Sequence, residues 1–177
     1  RNRKQMEIFQ YYLAVVPKKG ILKKHDLIPT EIGVCTETGY FESDAELYWK
    51  EIDKKAEEIT PKIDSIVKRA DWGNSHASFN WKTYTETLDN DAFMGLDEET
   101  FSITEFSFRA DLRENGFTFL KNMIKLGKEN DWMFMDRKGK LMNADFEEIK
   151  ESIRNSDAHS FLKDPIEFLE NLENKKE

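Results

Sequence analysis

The chain has 177 residues, of which 38% are hydrophobic and 35% charged, and its 35 acidic against 27 basic residues give a net charge of -8. This length suits one domain with its own core, the aromatic content of 12% excludes a wholly disordered chain, and the negative charge disfavours nucleic acid and anionic membrane surfaces as partners. The single cysteine, Cys35, excludes an internal disulfide and a zinc site built from several thiolates, so we expect a reducing, cytoplasmic location with Cys35 in the core.

The first predicted element is a buried strand at YYLAVV, residues 11–16, which is apolar on both faces and is followed by Pro17. This run is far shorter than the roughly 20 residues that a membrane-spanning helix needs. The basic segment KKGILKKHDLIP is typical of a turn-rich connection. EIGVCTETGYF, interrupted by Gly33 and Gly39, predicts a weak strand.

The clearest helix signal comes next. Ser43 and Glu46 have the spacing of a capping box. Apolar residues then recur in steps of three and four, which keeps them on one side of a helix: Trp49, Ile52, Ala56, Ile59, Ile63, Ile66 and Ala70. Pro61 interrupts the hydrogen bonding, so the pattern predicts two nearly collinear helices or one kinked helix.

The second half of the chain begins with strands and ends with helices. SFNWKTYTET predicts a strand, LDNDAFMGLDEET an acidic loop, and FSITEFSFRADLR a strand with a bulge near Thr104 and Glu105. FTFLKNMIKLGKEN predicts a helix, and DWMFMDRKGKLM a hairpin. Two more helices are predicted, one capped by Asn143 and a short one starting near Asp164.

Consecutive strands without helices between them favour antiparallel pairing. The sequence therefore predicts a single α+β domain over residues 1–177, with a mostly antiparallel β-sheet and helices packed on one face. Residues 1–5 and 174–177 are expected to be flexible ends.

A row of polar residues alternates with apolar ones in the strand after residue 102. Phe106, Phe108, Ala110 and Leu112 lie between the polar positions, which are Glu105, Ser107, Arg109, Asp111 and Arg113. The first interpretation is a solvent-exposed sheet face, the second a docking surface for a protein, and the third an active site or an anion site at the two arginines.

Acidic residues cluster in the predicted loop, at Asp89, Asp91, Asp97, Glu98 and Glu99. The segment fails as a calcium loop because Phe93 stands where the fifth position needs an oxygen ligand, and glycine comes one place late. The remaining interpretations are a solvated loop and an acidic patch for a basic partner.

Catalytic and metal-binding signals are weak. His25, His76 and His159 have no metal-ligand spacing, and no phosphate-binding glycine motif occurs, so we expect no metal and no cofactor. The leading hypothesis is a non-enzymatic protein that binds a protein partner through its acidic surface, which suits a basic partner; in gross composition it is similar to immunity proteins that neutralise basic nucleases. The alternative is a small hydrolase-like enzyme with a site assembled from His76, Glu105, Arg109 and Asp111.

Overall fold

The computed structural model describes residues 9–35, 37 and 42–156, except for the side chains of Glu42 and Tyr84. The predictions for residues 1–5 and 174–177, for His159 and for the helix near Asp164 lie outside these ranges. The elements are, in chain order, β1 (Gln10–Pro17), α1 (Lys18–His25), β2 (Val34–Cys35), β3 (Glu42–Ser43), α2 (Ala45–Lys50), α3 (Thr60–Asp64), β4 (Ser78–Tyr84), β5 (Asp89–Leu96), β6 (Ile103–Asp111), α4 (Thr118–Glu129), β7 (Trp132–Met135), β8 (Leu141–Asn143) and α5 (Phe146–Arg154).

Six strands form one sheet in the order β4-β5-β6-β1-β7-β8, and every neighbouring pair is antiparallel. The chain leaves β6, passes through α4 and returns as β7 on the other side of β1, so the first strand lies in the middle of the sheet. Strands β2 and β3 make a separate two-stranded pair. The predicted α+β fold with an antiparallel sheet is confirmed.

The larger core lies on one face of the sheet, which we call the covered face. Leu13 and its cross-strand partner Phe108 are buried there, and the Phe108 ring stands edge-on to Phe119 of α4 and Phe134 of β7, with ring centroids 5.8 and 5.7 Å apart. Helices α2 to α5 all contribute buried side chains to this cluster, among them Trp49, Ile63, Leu120, Met123, Ile149 and Ile153.

A second, smaller core lies on the opposite face, over β1, β7 and β8. Ala14 and Val16 of β1 are buried there beneath Ile21 of α1 and Tyr48. Gly20 permits this contact, because a Cβ at this position would lie 2.1 Å from the Tyr48 carbonyl oxygen. Helix α1 thus adds a helix on the opposite face.

On the same opposite face, the described residues of β4, β5 and β6 do not belong to the smaller core, although helix α2 contacts β6. We call this region the open half of the sheet. The sheet therefore has one fully covered face and one face that is covered over only half its width.

Both outer strands have bonding partners on their outer sides. The Lys82 and Ala70 amides donate to Lys68 O and Asn80 O, so residues 68–70 run along β4. On the other edge, the Leu141 amide of β8 donates to Thr30 O.

Two predictions for the first half of the chain are wrong. The basic segment after Pro17 is helical rather than turn-rich, because burial of Ile21 over β1 favours a helix there. In place of two nearly collinear helices or one kinked helix over 43–70, the structure has α2, a 3-10 turn and α3. Lys55 is extended, and the backbone around it pairs with the start of β6: Ile103 N donates to Lys54 O, and Ala56 N donates to Phe101 O.

In the second half, the predicted acidic loop is wrong, because residues 89–96 form strand β5. The predicted bulge is confirmed: Gly95 pairs with Glu105 and Leu96 with Ile103, which leaves Thr104 as the extra residue. The hairpin is also confirmed. The cap of α5 is Asp145 rather than Asn143, and Cys35 is exposed rather than buried in the core.

Candidate functional site

The strand register places the polar side chains of the open half in rows that run across the sheet. One row consists of Lys82, Asp91, Arg109 and Tyr12, which come from four adjacent strands. The next row consists of Asn80, Phe93 and Ser107. Residues far apart in the sequence thus form one continuous surface.

The charged residues of the first row form ion pairs with one another and with Asp89. Arg109 binds Asp91 with two hydrogen bonds, Nε to Oδ1 at 3.0 Å and Nη2 to Oδ2 at 2.7 Å. Lys82 Nζ lies 3.5 Å from Asp91 Oδ2 and 2.6 Å from Asp89 Oδ1, the latter at ion-pair distance but not in hydrogen-bonding geometry. Two acids predicted to face a partner are thus held by cations of the same sheet.

A hollow of about 140 Å³ lies above these rows. One wall is Trp72, which belongs to the turn before β4; Asn80 Nδ2 donates to Gly73 O at 2.6 Å and ties this turn to the sheet. The other wall is Tyr12, and the Arg137 guanidinium lies over its ring at 4.9 Å. Phe93, Ser107 and Arg109 also line the hollow.

The two aromatic walls differ in exposure. Trp72 is 62% exposed, although its ring is one of the largest apolar groups in the chain. Tyr12 is half-buried and hydrogen-bonds to Ser107, and burial raises the pKa of its hydroxyl above the usual 10. Both walls are therefore uncharged at physiological pH.

Asp111, the last residue of β6, is completely buried. Its Oδ2 accepts hydrogen bonds from Asp89 N at 2.9 Å and Arg113 Nη2 at 2.6 Å, and its Oδ1 accepts from Arg113 N and Nε, both at 2.9 Å. This carboxylate holds the ends of two strands together and is not part of the exposed surface. Arg113 is occupied in the same pair.

The acids that do face solvent lie at the other end of β6. Asp97, Glu98 and Glu99 are exposed in the turn between β5 and β6, where Asp97 Oδ1 accepts from the Thr100 backbone and hydroxyl, and these bonds lower the pKa of Asp97. Glu105 follows on the open half. Desolvation raises the pKa of Glu105, and the negative charge of Glu46 raises it further.

The four residues of the hydrolase-like alternative do not converge on one point. Glu105 and Asp111 stand six residues apart on one strand, which is about 20 Å. His76 is exposed in the turn before β4, at the end of the sheet where Glu105 lies, whereas Arg109 is nearer to Asp111. The structure therefore brings together Arg109 and Asp91, and Asp111 and Arg113, but not the proposed catalytic set.

Within the described ranges, no three carboxylate, imidazole or thiolate groups cluster as metal ligands do. The hollow is also smaller than the usual 300–1,000 Å³ of small-molecule sites. None of the helices in the part of the chain that the structure describes has the length and apolar character needed to cross a bilayer.

Sequence reasoning missed the two walls of the hollow. Trp72 is exposed, and its position in the polar turn ADWGNSHA is a signal that could have found it. Tyr12 sits in an apolar run in which no local pattern separates the side chains of the two faces.

No protein-family model, no curated protein and no solved structure matches this chain.

Proposed function

We propose that the protein acts by binding another protein through the open half of its sheet, and that the contacting surface of this partner is basic. The observation that carries the proposal is the exposed Trp72 ring beside a hollow on an uncovered sheet face. Tryptophan, tyrosine and arginine are the residues that contribute most to protein interfaces, and Trp72, Tyr12 and Arg109 lie together here.

The charge of the molecule supports a basic partner. The net charge of -8 attracts cationic surfaces over a range of about 8 Å at physiological salt. Exposed Glu98, Glu99 and Glu105 lie at the end of β5 and β6 that borders the open half. Because the acids in the middle of the open half are already paired with Lys82 and Arg109, these rim residues steer the encounter rather than form the centre of the interface.

A domain of this kind suits the role of an immunity protein or antitoxin that neutralises a basic protein. Nucleic acid is not the proposed partner, because the same net charge repels phosphates. The proposal includes a cytoplasmic location, where an exposed thiol such as Cys35 stays reduced. The hydrolase-like alternative has less support, since its residues are spread along the sheet.

The test compares proteins captured by matched baits from the organism that encodes the chain. The baits are the wild type, Trp72→Ser, and the control Leu27→Ser, which removes another exposed apolar side chain (61% exposed) outside the open half. We expect one basic protein to be retained by the wild type and by the control, and to be lost with Trp72→Ser. With the purified partner, loss of the Trp72 ring should cost about 2 kcal/mol, or roughly 30-fold in Kd.

Charge reversal tests whether the acidic rim residues steer the encounter with the partner. Glu98→Lys combined with Glu99→Lys should slow association about tenfold at low salt and change the dissociation rate little. Equal capture by the wild type and by Trp72→Ser, or a partner without a basic surface, would contradict the proposal.

A further inference from the structure

We propose that the hollow between Trp72 and Tyr12 receives one uncharged aromatic side chain of the protein partner. This inference rests on the proposed function and specifies the group that the open half recognises. It is argued from the size of the hollow, from its walls and from the charges on its floor.

The size of the hollow matches one six-membered ring. An apolar cavity of about 150 Å³ in a protein core takes up one benzene molecule. The hollow measures about 140 Å³, so it has room for a phenyl or phenol ring and not for a larger group such as a nucleotide.

The walls offer ring faces and ring edges. Trp72, Tyr12 and Phe93 surround the space, and aromatic rings pack on one another in edge-to-face or offset arrangements. The turn that carries Trp72 is tied to the sheet, because Asn80 Nδ2 donates to the adjacent Gly73 carbonyl. The exposed Trp72 ring can therefore cover a second ring without a large change of backbone.

The charges on the floor disfavour an ionic ligand. A cation entering the hollow approaches Asp91, but the carboxylate is already bound by Arg109 and by Lys82. An anion approaches Arg109, whose guanidinium is held against that same carboxylate. An uncharged ring is repelled neither by the cations, as a cationic ligand would be, nor by the carboxylate, as an anionic ligand would be. It can also stack on the flat guanidinium of Arg109.

The test uses p-cresol, which has the side-chain ring of tyrosine, with methylguanidinium and acetate as charged probes. Binding is followed by NMR at the indole N–H of Trp72. The indole N–H of Trp49, which donates to Val15 O at 2.9 Å in the covered core, is the internal control. We expect a saturable shift of the Trp72 signal with p-cresol, no shift of Trp49, and no comparable effect of either ion.

Two variants complete the design. Trp72→Ser should weaken p-cresol binding at least tenfold, observed at the backbone amide of Ser107. The control Phe101→Ser removes an aromatic ring that is 52% exposed in the turn between β5 and β6, and it should leave p-cresol binding unchanged. Absence of p-cresol binding, or a stronger response to one of the ions, would overturn the inference.

The outcomes separate this inference from the proposed function. If p-cresol does not bind while Trp72→Ser still abolishes capture of the partner, the inference fails and the proposed function stands. If p-cresol binds but capture is the same with Trp72→Ser, both the proposed function and the assignment of the ring to that partner fail. Competition between p-cresol and the purified partner would support both.

Discussion

Asp111→Asn is expected to destabilise the protein far more than removal of an exposed charge. The Asp111 carboxylate accepts four hydrogen bonds, one from Asp89 N and three from Arg113, and no part of the residue is exposed. An asparagine keeps only one accepting oxygen, and its NH2 group would face N–H donors of Arg113 or Asp89 that then lose their acceptor. Removal of one partner from a buried ion pair costs about 3–5 kcal/mol. Because the Arg113 side chain is 28% exposed and can be hydrated, we expect the lower end, about 3 kcal/mol.

The assay is urea denaturation followed by tryptophan fluorescence. With a slope of about 2 kcal/mol per molar urea, the midpoint should fall by about 1.5 M. The control is Glu151→Gln: in its ion pair with Arg154 the two side chains are 60% and 41% exposed, so the loss should be at most about 1 kcal/mol. Equal, small losses for the two variants would refute the conclusion that Asp111 is structural.

The remaining predictions concern a helix contact, a titrating acid and the cysteine. Gly20→Ala should lower the free energy of unfolding by about 1–3 kcal/mol, because its Cβ would lie 2.1 Å from the Tyr48 carbonyl oxygen. Helix propensity alone predicts the opposite, so a higher free energy of unfolding would contradict the packing of α1. Because the pKa of Glu105 is raised in the folded protein, its ionised carboxylate disfavours the folded state at pH values above that pKa. Glu105→Gln should therefore raise the urea midpoint near pH 8 and have no such effect below the ordinary glutamate pKa of about 4.3. A raised midpoint that persists in acid would show that ionisation of Glu105 is not the reason. Native Cys35 should react fully with Ellman's reagent without denaturant, and a protected thiol would show that it is buried.

The parts of the fold that follow from local patterns were predictable. The alternation of residues 106–112 gives strand β6, and the slip near Thr104 gives its bulge. The long helix was not predictable in its true form, because apolar spacing of three and four also fits short turns that pack on the same core. Its interruption at Lys54 and Lys55 depends on hydrogen bonds to a segment almost 50 residues later.

The candidate site was predictable only where one strand carries it. The polar row of β6 does place Arg109 on the open half, but burial of Asp111 depends on Arg113 and on the backbone of a neighbouring strand. Strand β5 looked like a loop because the cations that balance Asp89 and Asp91 come from β4 and β6. The hollow lies between Trp72, in the turn before β4, and Tyr12 of β1, so its walls are separated by the width of four strands. No local sequence pattern predicts such an arrangement.

The backbone that runs beside β4 and β8 has a consequence for crowded solutions. A strand from another molecule finds hydrogen-bonding positions on both margins already occupied by residues 68–70 and by Thr30. Addition of strands at either edge, as in a fibril, would first have to displace these segments. A partner that leaves these segments in place therefore binds on the face of the six-stranded sheet instead of extending it.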